Sequence, residues 1–302
     1  MQAEVIIEEQ GLRDGIQNLS QQISTRDKLA IIQELVEAGV RRVQVASFVH
    51  PRLVPQMADA EAICEALPEI DEVVFSGLVL NKKGVERGIA AGLKHLACSI
   101  SASDTHSQKN ARKTLKEAKA GFQEMVGLAQ AAGVRTRGGI QCAFGCRYEG
   151  KIASEHVLDM VQHHLDAGVD ELALADSTGM ANPQQMEELM AQVLELATSV
   201  PVFLHLHNTE SKGLANLYAA LRVGVRHFDT AFAGLGGCPF IAGATGNIAT
   251  EDTVHMLHQM GYETGIDIQK MSLISKNMEE RLGYALPSRI YQLWGNPEIK
   301  II

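Results

Sequence analysis

Short apolar runs alternate with longer amphipathic stretches along this chain, and one punctuation mark recurs between them. A helical stretch ends at Ala-Gly or a similar pair, two to five residues follow, and a short apolar run begins. Gly39 precedes Val43-Gln44-Val45 and Gly92 precedes Leu96-Ala97-Cys98. Gly133 precedes Gly139-Ile140-Gln141, Gly168 precedes Leu172-Ala173-Leu174, and Gly224 precedes His227-Phe228-Asp229. Glycine just beyond a helix accepts the left-handed conformation that ends it. The intervals Gly39 to Gly92 and Gly168 to Gly224 each hold a further run, Val73-Val74-Phe75 and Val202-Phe203-Leu204-His205. With Val5-Ile6-Ile7 the count is eight strands. Amphipathic helices are expected near 26–38, 56–66, 83–91, 110–131, 152–167, 183–198, 211–223 and 249–260. Eight alternating β/α units predict an α/β fold, a (β/α)8 TIM barrel over about 4–262, with an open doubly wound sheet as the competing arrangement. The remainder, about 263–302, is expected to be a helical extension of the same single domain.

A hydrophobic content of 46% is enough for a large core, and a net charge of −9 disfavours nucleic acid or an anionic membrane as partner. No apolar run approaches the roughly 20 residues of a membrane span, and no targeting segment is evident. The five cysteines show no zinc-ligand spacing and an odd count, which predicts reduced thiols in a cytoplasm.

In a barrel of this type chemistry collects at the carboxyl ends of the strands. The polar clusters fall there: Arg13-Asp14 after the first strand, Ser47 after the second and Ser101 to Ser103 after the fourth. Asp176 follows the sixth, His205 and His207 end the seventh, and Cys238 and Asn247 follow the eighth. Residues two apart on a strand face the same side, so His205 and His207 can reach one point. Asp14 and Asn247 are the natural oxygen donors, because first and last strands are neighbours in a closed barrel. Two imidazoles, a carboxylate and an amide suit Mg²⁺ or Mn²⁺ better than a closed thiolate site, with Zn²⁺ as the third option. Taken singly, Asp14 is equally a turn residue, Asn247 a loop or cap residue, and Asp176 a helix cap.

The stretch from Gly234-Leu235-Gly236-Gly237-Cys238-Pro239 through Gly246-Asn247 to Glu251-Asp252 closely resembles the glycine-rich catalytic loop of 3-hydroxy-3-methylglutaryl-CoA lyases. Arg13-Asp14-Gly15-Ile16-Gln17-Asn18 resembles the RDGLQN signature of that family, and Ser47 to Met57 resembles its SFVSPxxVPQM segment. Gly145 to Lys151 resembles its GCPYEGK segment, with Arg147 in place of proline. The likeness spans residues 4 to about 262. It implies Asp14, His205, His207 and Asn247 as metal ligands, with Asp14 or His205 as base. It implies Arg13 as the cation facing the thioester oxygen and Cys238, beside Gly237, as a catalytic thiol. Gln17, Gln44, Ser47, Asp176 and Glu251 are implied as substrate-binding or supporting residues. The implied reaction is metal-dependent retro-Claisen cleavage of a 3-hydroxyacyl-CoA, with CoA carried by the substrate and a homodimer or higher oligomer as assembly.

Two departures bear on the substrate. Gln44 stands where the family usually has Glu, and Asn208 follows the histidine pair where Asp is usual. The segment Ser101 to His106, with Lys109 and Lys113, leans toward the acyl-CoA-condensing synthases of the wider group. A synthase forming a 2-hydroxy-dicarboxylate, or a barrel that only binds CoA or metal, are therefore the competing readings.

Overall fold

A computed structural model describes residues 3–236 and 246–294. Eight strands close into a barrel in sequence order: β1 (Ile6–Glu9), β2 (Arg42–Ser47), β3 (Val74–Val79), β4 (His95–Ser101), β5 (Arg135–Gln141), β6 (Glu171–Asp176), β7 (Val202–Leu206) and β8 (His227–Thr230). Every neighbouring pair is parallel, including β1 against β8, which excludes the open sheet. All five punctuating glycines have positive φ. Gly39 has no substitute, because a Cβ there would lie 2.1 Å from the Gly265 carbonyl oxygen.

The surrounding helices are α1 (Thr25–Glu37), α2 (Ala60–Glu65), α3 (Lys82–Ala90), α4 (Asp104–Ala111), α5 (Leu115–Ala131), α6 (Ser154–Asp166), α7 (Pro183–Leu196), α8 (Gly213–Arg222) and α9 (Thr250–Gln259). Two expectations need correcting. The helix expected over 110–131 is two helices. Arg112 sits in the left-handed region at φ 55° and ends α4, and a Thr114–Glu117 capping box then starts α5. The helix expected over 56–66 begins only at Ala60, after a 3₁₀ turn at Pro55–Met57. Beyond the barrel, α10 (Ile268–Leu282) packs on α1 and α9, and α11 (Ile290–Trp294) follows.

The floor of the barrel is ionic. Arg42 donates to Glu8 at 2.9 Å and to Glu171 at 2.7 Å, and Arg137 contacts Glu8 and donates to Asp229 at 2.8 Å. Both guanidiniums stack on Phe203, at 4.7 and 4.2 Å from its centroid. Burial alone would raise the Glu171 carboxyl, but His95, Arg42 and Arg137 outweigh it and hold it at about 2. Buried charges persist only when paired in this way. The network sits beneath the cleft at the carboxyl ends of the strands and fixes what rises from it.

Candidate metal and acyl-CoA site

The cleft has a volume of about 480 Å³, within the range of small-molecule sites. Its first functional group arrives on a single π-turn, Gly11–Gly15, immediately after β1. The Glu9 carboxylate accepts the Gly11 amide at 2.7 Å and the Phe232 amide at 2.9 Å, tying this turn to the chain leaving β8. Gly11 is required there: a Cβ would lie 2.3 Å from the Phe232 ring. Burial pushes the Glu9 carboxyl up to about 7.

The turn presents Arg13 and Asp14, 9% and 8% exposed, toward the end of β7. His205 is the fourth residue of β7, and His207 follows the strand in a bridge with Asn247. Their Nε2 atoms lie 3.1 Å apart, and Asp14 Oδ2 is 4.0 Å from the first and 3.6 Å from the second. Asp14, His205 and His207 each offer a ligand atom, all within 4.8 Å of one another. Asn247 Nδ2 donates to Asp14 at 2.9 Å and to the Leu235 carbonyl at 3.0 Å, while its Oδ1 is buried with no partner among the described residues. An orphaned amide oxygen beside an anionic carboxylate and two imidazole nitrogens is a donor set that fits a hard or borderline divalent cation.

The protonation states agree with that fit. Burial would raise the Asp14 carboxyl, yet Arg13, His205, His207 and the Asn247 amide together hold it below the usual range. Burial takes the His207 imidazole down to about 4 despite Asp14, so it is neutral and able to ligate near pH 7. His205 Nδ1 lies 3.2 Å from Asp229 Oδ2. An ionised carboxylate only accepts, so Nδ1 carries the hydrogen and Nε2 keeps its lone pair for the site.

Arg13 is fixed by three partners. It donates through Nε to Gln44, through Nη2 to Gln10 at 2.8 Å, and through Nη1 to Asp14. Gln44 therefore orients the guanidinium without neutralising it, as a glutamate there would. Gln17 and Ser47 also line the cleft, and the Ser47 hydroxyl is buried without a partner among the described residues. Two supporting residues lie elsewhere. Asp176 accepts the Met180 and Ala181 amides at 3.0 and 3.1 Å, caps the loop after β6 and does not line the cleft. Glu251 accepts the Ala233 amide at 2.9 Å and the Ser275 hydroxyl, behind the chain leaving β8. Gly237 and Cys238 lie outside the described residues.

Sequence reasoning passed over Asp229 and Arg137. Both sit inside strands, where the apolar run draws attention, and their signal was a charge at an inward position of a parallel strand.

A profile of the HMGL-like family matches residues 4–278. The chain belongs to that family. It is 36% identical to the hydroxymethylglutaryl-CoA lyase YngG of Bacillus subtilis over 290 residues, 96% of this chain and 97% of the relative. It is 38% identical to the (R)-citramalyl-CoA lyase of Chloroflexus aurantiacus over 288 residues, 92% of this chain and 91% of that one. An HMG-CoA lyase structure from A. baumannii, in complex with coenzyme A and 3-methylmalate, superposes with a TM-score of 0.93. It is 36% identical, over 99% of this chain and 98% of that one. Among the described residues no helix is long and apolar enough to cross a membrane.

Proposed function

We propose that this member of the HMGL-like family is a divalent-cation-dependent carbon–carbon lyase. It cleaves a 3-hydroxy-3-methylglutaryl-CoA-like thioester to acetyl-CoA and a 3-oxo acid, acetoacetate for the methyl compound. One observation carries the reading: Asp14, His205 and His207 converge beside Arg13 at the strand ends of a barrel from this family.

Asp14, His205, His207 and Asn247 would hold the cation, Mg²⁺ or Mn²⁺ on this nitrogen and oxygen set. Bound there, it would supply Lewis acidity to the substrate hydroxyl. His205 is the best-placed base, because Asp229 stabilises the imidazolium formed when Nε2 takes up the hydroxyl proton. Where His205 serves as base, its Nε2 lone pair takes the proton, and Asp14, His207 and Asn247 would hold the cation. As the bond between C2 and C3 breaks, its electron pair moves into the thioester carbonyl. Arg13 faces that oxygen, and a preorganised cation of this kind contributes ~3–4 kcal/mol. Cys238, flanked by glycines in the sequence, would return a proton to C2. Asp176 and Glu251 would act by holding loops in place, Gln44 by orienting Arg13.

The test is metal-free protein reconstituted with Mg²⁺ or Mn²⁺ and offered 3-hydroxy-3-methylglutaryl-CoA and citramalyl-CoA. Acetyl-CoA with acetoacetate is the expected product pair. Acetyl-CoA with pyruvate, and no acetoacetate, would reassign the substrate. Release from neither, with consumption of acetyl-CoA and a 2-oxo acid, would replace the lyase by a synthase.

A further inference from the structure

The interior of an eight-stranded barrel is ordinarily filled by its inward side chains. Here one wall is not. Ser99 of β4 pairs in register with Gly139 of β5, and Gly139 with Ala173 of β6, so three adjacent strands place small residues side by side. Ala97 and Ala175 extend the row, and Leu78 of β3 closes its edge; all six line the cleft. Gly139, Ala173 and Ala175 keep accessible surface although they lie within barrel strands, which marks open interior rather than packed core. The Ser99 hydroxyl donates to the Gly139 carbonyl at 3.4 Å, so the row presents no unmet polar demand. The wall cannot simply be thickened at its centre, since a Cβ on Gly139 would lie 2.7 Å from Ser99 Oγ.

Resting on the lyase reading above, the reacting carbon would lie between two unlike walls. Its hydroxyl and carboxylate arm face the Asp14, His205 and His207 cluster, and its thioester arm runs past Arg13. The fourth substituent is left facing the β4–β6 wall. A methyl group there would leave the hollow filled by water against leucine and alanine. We infer that this chain takes 3-hydroxy-3-alkylglutaryl-CoA substrates whose C3 alkyl group is several carbons long, lodged against Leu78, Ala97, Gly139 and Ala173.

The measurement is kcat/KM for acetyl-CoA release from 3-hydroxy-3-butylglutaryl-CoA and from the 3-methyl compound, with the same Mn²⁺-loaded protein. A butyl-to-methyl ratio of one or more is expected; a ratio below one, with the methyl compound still cleaved, overturns the inference and leaves the lyase reading standing. Release from neither compound removes both. Ala173→Leu is expected to lower the ratio by roughly 10- to 200-fold, the scale of a methylene or two in an apolar pocket. An unchanged ratio in that variant means the alkyl group is not on this wall. Ala97→Val gives the same reading if the leucine variant does not fold.

Discussion

Replacing Asp229 by asparagine tests how the floor of the barrel controls the proposed cation site. Asp229 is 5% exposed and bridges two partners, accepting from Arg137 at 2.8 Å and from His205 Nδ1 at 3.2 Å. An asparagine must keep its oxygen on Arg137, which only donates, and so turns its NH₂ toward His205. Nδ1 must then accept, which moves the imidazole hydrogen to Nε2 and aims it into the Asp14, His205 and His207 cluster. The lone pair needed for ligation is lost unless the amide bond is broken. Loss of such an orienting partner lowers metal affinity by ~10–100-fold, or about 1.4–2.7 kcal/mol. Arg137 keeps Glu8 and Glu171 nearby, so its charge stays compensated. Calorimetric titration of Mn²⁺ into metal-free wild type and Asp229→Asn at pH 7 measures the effect. Thermal melts of both proteins confirm that the variant is folded. Equal dissociation constants within twofold would refute the orienting role and the ligand assignment of His205 with it.

Three other expectations follow from the same structure. Arg13→Met should lower kcat by ~100- to 1,000-fold through loss of a preorganised cation at the thioester oxygen; a steady-state loss under tenfold would remove Arg13 from that role. The His164 imidazole is buried between the Met160 and Gly139 carbonyls, and burial depresses it from 6.5 to about 3. Its folded-state pKa lies below the unfolded one, so its contribution is complete above pH 6.5 and lost as pH falls toward 3. Between pH 6 and 4 denaturant melts of wild type should lose about 1.4 kcal/mol per pH unit more than those of His164→Leu, and parallel curves would contradict this. Gly39→Ala, at φ 93° with the Gly265 carbonyl in the way, should cost at least about 2 kcal/mol. Gly133→Ala, where a Cβ meets nothing within 4 Å, should cost clearly less in the same chemical denaturation assay.

The barrel was legible because its code is repetitive: five glycines ending helices and eight apolar runs are enough to number the units. What the pattern could not show is structure that does not depend on apolar periodicity. The α4 segment, DTHSQKNA, is polar on every face, and its start rests on the Ser103 hydroxyl accepting the His106 amide. At the site, Asp14 and the histidine pair were readable because strand order and period-two alternation bring them to one point. Asp229 and Arg137 were not, since a charge inside an apolar run reveals its partner only when the barrel closes. Asp176 was ambiguous in the sequence between site and cap. Both of its oxygens accept loop amides, and burial still raises its carboxyl to about 6. Gln44 reads differently once its contact is visible, because the amide orients Arg13 without adding a second carboxylate to the one Asp14 already sets against it.

In the proposed mechanism, bond cleavage requires a cation at Asp14, His205, His207 and Asn247. Stepwise addition of Mn²⁺ to metal-free protein, with bound metal and acetyl-CoA release from 3-hydroxy-3-methylglutaryl-CoA read on the same samples, measures that directly. Turnover should rise in proportion to bound metal and level off at one equivalent per chain, and His207→Ala should neither bind that equivalent nor turn over. Full turnover in the chelated protein, or an active His207→Ala variant without bound metal, would contradict it.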